Sequence, residues 1–437
     1  MKTIPVTALV AVLLSSVPST VLAKLAPAEA KMAAAVEAGY EPAVTLLQQL
    51  VDVNSGSMNL AGVERVGQMM RAELEPLGFK VEWKPMAAAK RAGHIIATHV
   101  GKAGTKRLLL IGHLDTVFEK DSPFQKFERK GDFGEGPGAA DDKGGMVVML
   151  MALKAMKAAG ALASANIEIV LTGDEEDSGD PIEIARADLI AAGKHADVAL
   201  DFEGLVTENG RDMGSIARRS SNSWTLTATG KAGHSSGIFS ASAGDGAIYE
   251  LARIIATFRK ELPEPNLTFN VGLIAGGQSA EFDADGVRAT STGKSNIIPA
   301  IAMARGDFRT LSEAQTQRVK EKMSAIVAAH APGTGAEIRF ETGGYPAMAP
   351  TDGNRAILTA LNGVNVDLGL PEMPALDPLK RGAGDISFVA NDVSGLAGLG
   401  PSSQGDHAPG ETVDLVSFKR QAKRAAILMT RLSGQKR

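Results

Sequence analysis

The sequence predicts an α/β protein: a mostly parallel sheet with helices on both faces, interrupted by a smaller ferredoxin-like α+β insertion. Three observations predict it. Apolar, strand-like runs alternate with helical periodicity up to about residue 214 and again near the C-terminus, the pattern of a parallel sheet. Between residues 215 and 342 the order becomes strand-helix-strand-strand-helix-strand, the ferredoxin-like arrangement. The chain has 437 residues, room for about two or three domains of ordinary size.

Taken in order, residues 28–53 and 63–77 carry apolar side chains at helical spacing. Strand patterns follow at 81–83, 94–99 and 108–111, with 94–99 reading as an edge-like strand. Residues 144–159 are apolar nearly all round, which predicts a buried helix. Further strands are expected at 167–171 and 198–202. Inside the insertion, strands are expected at 223–229, 267–274, 300–310 and 336–341, with helices at 243–260 and 313–329. The turn-rich segment 276–293 reads as a loop with a short hairpin. The expected units are residues 1–23, a main domain of 24–214 and 343–437, and an inserted domain of 215–342.

Composition narrows the functional classes. Hydrophobic residues make up 44% and charged residues 22%, an ordinary globular balance. The formal net charge is -4 and only 4% of residues are aromatic, so neither a basic groove nor a base-stacking platform is expected. Met1-Lys2, an apolar run over 4–17 and the small residues around Val21-Leu22-Ala23 form a secretory signal pattern. That run is too short to span a bilayer, so a periplasmic or secreted protein is expected, with no membrane contact after cleavage. There are no cysteines, so any metal must be held by His, Asp and Glu.

The chemistry concentrates at expected strand ends. Leu108-Leu109-Leu110-Ile111-Gly112-His113-Leu114-Asp115 ends a buried strand with an imidazole and a carboxylate two residues apart. In an extended segment these point the same way, and open α/β sheets bind ligands at the carboxyl ends of their strands. Gly136 to Gly145 places Asp141 and Asp142 among glycines ahead of the buried helix; taken alone, that segment reads first as a plain glycine-rich turn with a helix cap. Asp174-Glu175-Glu176-Asp177 follows the next strand, and Glu203 follows the one after. Adjacent acids on extended chain point to opposite sides, so Glu175 and Glu176 can hold different roles. His407 sits in a Gly-Pro-rich loop near the C-terminus. His94, His99, His195 and His330 read as structural.

In order and spacing these motifs resemble the di-zinc metallopeptidase family of glutamate carboxypeptidase, aminoacylase, acetylornithine deacetylase and succinyl-diaminopimelate desuccinylase. The likeness covers nearly the whole chain after residue 23, and Gly136-Pro137-Gly138-Ala139-Ala140-Asp141-Asp142-Lys143-Gly144-Gly145 is closest to the exported glutamate carboxypeptidase type. The resemblance implies two zinc ions per subunit, bridged by Asp141. It implies His113 and Glu203 on one ion, Glu176 and His407 on the other. Glu175 would be the general base acting on a metal-bridged water, and Asp115 would orient His113. A cis peptide between Asp141 and Asp142 is also implied.

In the insertion, Gly230 to Ser236 resembles the family's histidine loop, whose histidine, here His234, reaches a partner subunit's site and stabilises the oxyanion. Asn296 of Ser295-Asn296-Ile297-Ile298-Pro299 and Arg309 of Asp307-Phe308-Arg309 match residues that bind the substrate's carboxylate. Arg381-Gly382-Ala383-Gly384-Asp385 departs from the family's Gly-Gly-Thr-Asp loop. Gly382 and Gly384 are expected to line the pocket, and Arg381 reads equally as a pocket charge or a solvent-facing residue. The expected protein is a homodimer acting on small peptides or N-acyl amino acids, with no nucleic-acid partner. A deacylase is the enzymatic alternative, and a non-catalytic binding protein the alternative from another class.

Overall fold

The computed structural model describes residues 25–284 and 286–437. The signal-pattern segment 1–23 lies outside the described residues.

Strand Arg107–His113 is central to a six-stranded sheet. It pairs in parallel with Asn166–Thr172 on one side and Val198–Asp201 on the other. Gly395–Leu396 extends the parallel part. Gly93–His99 and Lys80–Pro85 complete the sheet antiparallel on the far side. The alternation along the central strand shows why it is buried on both faces. Leu108 and Leu110 enter the larger core, with the buried helices Lys143–Ala158 and Leu415–Ser433. Leu109 and Ile111 enter a second core under helix Ala187–His195 and the turn Asp385–Val389. A near-continuous apolar run is what a parallel strand covered on both sides requires.

Two expectations need correction. The stretch 28–53 is two helices, Pro27–Ala38 and Tyr40–Val51, divided at Gly39. Glycine loses more conformational freedom in a helix than any other residue, and here it ends one helix and precedes the next. The Gly93–His99 strand is not at an edge; it is hydrogen-bonded on both sides. Its polar start is tolerated because His94 Nδ1 accepts from the Gly173 N–H at 3.0 Å, while Nε2 donates to the Ala185 carbonyl at 2.8 Å.

The second sheet runs in the order Thr268–Gly277, Ile301–Arg309, Asn222–Gly230, Thr334–Phe340, all antiparallel. Helices Ala247–Glu261 and Glu313–Ala328 cover one face around Trp224, Leu226, Ala304 and Phe308, a core separate from that of the larger sheet. Odd-numbered residues of Ile301–Arg309, including Arg309, lie on the opposite face. The hairpin expected within 276–293 is Ser279–Phe282 paired with Ala289–Thr292. The chain enters and leaves this sheet through two short crossing segments. They pair antiparallel at Arg218 with Met348 and at Ser221 with Tyr345.

Candidate metal centre and active-site cleft

The carboxyl ends of the parallel strands converge. His113 ends the central strand, Glu175 and Glu176 follow Asn166–Thr172, and Glu203 follows Val198–Asp201. Asp141 comes from the glycine-rich turn ahead of helix Lys143–Ala158, and His407 from the loop before Leu415–Ser433. The turn is shaped by Gly138, at φ +71°, and held by buried Glu411. The Glu411 carboxylate accepts from the backbone N–H groups of Gly138 (3.1 Å), Ala140 (2.8 Å) and Asp141 (3.2 Å). The Asp141-Asp142 peptide is cis.

Asp141 is the hub. Its Oδ1 lies 2.9 Å from His113 Nε2, and its Oδ2 lies 3.1 Å from His407 Nε2. His407 Nε2 is also 3.3 Å from Glu176 Oε2. Donor atoms of His113, Asp141 and Glu176 all lie within 4.8 Å of one another. His407 itself sits at φ +65°, an uncommon conformation for a residue with a Cβ.

Electrostatics favours a cation at this point. Burial, then the charge of Asp141, pushes the Glu176 carboxyl up to about 11. Burial, then the charge of Glu203, raises Glu175 well above the usual carboxylate range. Burial works against an ionised Asp141, but hydrogen bonds from His113 and His407 hold it below its usual value. Glu176 Oε1 is buried without a hydrogen-bond partner. Several carboxylates and two imidazoles facing one point, with an orphaned carboxylate oxygen, fit a divalent metal, which stabilises the ionised ligands that burial opposes. The donor set is wholly nitrogen and oxygen, which suits zinc among others.

Asp115 is fully buried beneath this group. Its Oδ1 lies 3.3 Å from His113 Nδ1, so Nε2 is the nitrogen presented to the site. The same carboxylate accepts from Ser57 Oγ at 2.5 Å and from the N–H groups of Glu175 (3.0 Å) and Glu176 (3.1 Å). It therefore fixes the acidic turn as well as the histidine ring, a second role that the sequence spacing alone did not reveal.

Glu203 has surroundings that the sequence did not suggest. Its Oε2 pairs with Arg218 Nη1 and lies 3.2 Å from Arg381 Nη2. Arg218 also pairs with Asp201 Oδ2 at 3.2 Å and donates from Nε to the Gly382 carbonyl at 3.0 Å. Arg381 thus faces the site rather than solvent. Gly384 packs against Arg218 and Glu203, two residues that line the cleft. A Cβ there would crowd the Arg218 guanidinium and Glu203 Oε1, so a larger residue would have to displace one of these side chains.

A cavity of about 470 Å³ opens over the centre, lined by Asp141, Glu175, Glu176, Glu203, Arg218, Arg309, Tyr345, Arg381, Gly382 and His407 among others. Arg309 reaches it from the second sheet. His234 and Asn296 are brought together by the short pairing of Gly233–His234 with Ile297–Ile298, but both are exposed and neither lines this cavity. His234 Nδ1 lies 2.8 Å from Ser236 Oγ and accepts from the Ser236 N–H at 3.2 Å.

Residues 109–431 match the model of peptidase family M20/M25/M40. The chain belongs to this family. It is thus a member of a metallopeptidase family, with the family's α/β fold. Carboxypeptidase G2 of Pseudomonas sp. (strain RS-16) is 32% identical over 276 residues, which span 62% of this chain and 60% of that relative. A succinyl-diaminopimelate desuccinylase of Leptothrix cholodnii is 24% identical over 86% of this chain and 95% of its own. Among solved structures, aminopeptidase PepT from Bacillus cereus superposes with a TM-score of 0.68 at 19% identity, covering 90% of this chain and 98% of its own. A dinuclear metal-binding M20 peptidase from Bacillus subtilis superposes at 0.64 with 15% identity, covering 91% and 99%. Among the described residues, no helix is long and apolar enough to cross a membrane.

Proposed function

We propose that the chain is a zinc-dependent carboxypeptidase that cleaves the amide bond to a C-terminal amino acid, glutamate being the first to test. The observation that carries this reading is the convergence of Glu175, Asp141, His407 and Arg309 on one cavity, with buried His113 held against Asp141. His113, Asp141, Glu176, Glu203 and His407 would hold two zinc ions. When bound, they would supply an acidified water and polarise the scissile carbonyl. Glu175 takes the proton from the attacking water and passes it to the leaving amine. Arg309 receives the free carboxylate, whose two oxygens match a planar guanidinium.

His234 and Asn296 lie outside the cleft of their own chain. Their roles on the oxyanion and the carboxylate therefore call for the cleft of a second copy, and we assign a homodimer joined through the inserted sheet. The N-terminal pattern at 1–23 supports export to the periplasm or outside the cell. Deacylation of N-acyl amino acids is the second reading, favoured by the desuccinylase relatives that align along nearly the full chain. A hydrolysis panel separates the two: zinc-loaded protein against Glu-, Asp-, Arg- and Leu-terminated dipeptides, and against N-acetyl, N-succinyl and N-aroyl amino acids. Turnover of the dipeptides with loss on C-terminal amidation supports the carboxypeptidase. Turnover confined to the N-acyl compounds supports the deacylase.

A further inference from the structure

We propose that Tyr345, on the return crossing from the inserted sheet, is a positioning residue for Glu175. The proposal rests on the reading of Glu175 as the general base. Tyr345 OH donates to the Glu175 carbonyl at 2.8 Å. Arg186 Nη2 lies 2.7 Å and Ser178 Oγ 2.8 Å from the same hydroxyl. A phenol has one proton to give. The guanidinium can only donate and the carbonyl can only accept, so the phenol proton goes to Glu175 and the serine donates. All three positions around the hydroxyl are thus used.

The anchor behind the tyrosine is rigid. Arg186 is fully buried, 2.6 Å from Asp174 Oδ1 and 2.8 Å from Asp385 Oδ1. Asp385 is itself tied to Thr172 Oγ1 at 2.5 Å. The Tyr345 ring meets Phe388 edge-on, with centroids 4.8 Å apart. The Glu175 residue is therefore held from two directions. Asp115 accepts its N–H from the central strand, and Tyr345 donates to its carbonyl from the crossing.

The crossing links this contact to the inserted sheet. Tyr345 and Ser221 exchange both backbone hydrogen bonds, at 2.9 and 3.0 Å, and Arg218 and Met348 do the same. Tyr345 thus lies on the ribbon that joins the two sheets, with its hydroxyl held from the larger sheet's side by Arg186 and Ser178. On the facing segment of the same ribbon, Arg218 grips Glu203. Both crossings therefore place a side chain on a carboxylate-bearing turn of the site, which couples seating of the second sheet to placement of the base.

The test is Tyr345→Phe in the zinc-loaded full protein, alone and combined with Glu175→Ala. Small displacements of a catalytic group cost rate rather than affinity, so kcat should fall on the order of 10–100-fold with KM within about twofold. Zinc content should equal that of the parent, and amide exchange over residues 172–179 should accelerate. In the Glu175→Ala background, Tyr345→Phe should change the residual rate by less than about twofold, since a residue acting through Glu175 has nothing left to position. An equal rate loss in both backgrounds, or unchanged kcat and exchange in the single variant, overturns the role of Tyr345 alone. Full activity in Glu175→Ala overturns the reading of the site on which the proposal rests.

Discussion

The two sheets meet the cleft in opposite ways. The larger sheet is buried on both faces, and its strand ends deliver Glu175, Glu176 and Glu203 to the cavity, with His113 buried against Asp141. The inserted sheet is covered by helices on one face only, and of its expected functional residues Arg309 alone reaches the cavity. His234 and Asn296 stay exposed. The difference teaches where precision resides. In the proposed reading, the groups that hold a metal and move a proton sit at strand ends and on two turns packed against them, with fixed neighbours. The groups proposed to recognise the substrate sit on the second sheet, which has its own core and is reached by a two-segment crossing.

The largest effect is expected at the proposed general base. Glu175→Ala should lower kcat by about 10²–10⁴-fold, the usual range for loss of a positioned acid-base group, as read by steady-state hydrolysis at saturating substrate. A loss confined to KM would place Glu175 in binding and erase the contrast. Arg309→Ala is the matching change on the inserted sheet. It removes a charge-assisted contact to the substrate carboxylate and should raise KM by about 10–100-fold, with little change in zinc content.

Stability should follow the same division. Leu110 is completely buried in the larger core, and Leu110→Ala should cost about 2–5 kcal/mol in denaturant unfolding. The smallest effect is expected on the inserted sheet's outer strand. Ile274 is 59% exposed, and Ile274→Ala should stay within about 0.5 kcal/mol when one chain is considered alone. A larger loss that depends on protein concentration would put this face in a contact between copies.

Much of this was legible in the sequence because it depends on periodicity. The run Leu108 to Ile111 marks the central strand, and the acids and histidines just beyond such runs mark the site. The strand-helix-strand-strand-helix-strand order gives the inserted sheet. What was illegible depends on contacts between distant segments. Arg218 and Tyr345 lie in crossings with no periodic pattern, and Arg218 meets loop carbonyls 164 and 165 residues away. Arg381 read equally as a solvent or a pocket residue, because nothing local tells a loop arginine which carboxylate it will face. Gly93–His99 looked like an edge since its ends are polar, yet His94 is satisfied at both ring nitrogens inside the fold. Asp115 offered a clue in its spacing to His113, but its grip on the Glu175 and Glu176 amides required the fold to bring the two turns together.

The account stands on the larger sheet's strand ends holding metal for amide hydrolysis. The most direct measurement is zinc content and peptide hydrolysis on the same samples, before chelation, after it, and through stepwise return of zinc. The account predicts that chelation abolishes hydrolysis and that activity returns with zinc, reaching its maximum at two ions per chain. Full hydrolysis by protein stripped of metal would contradict it.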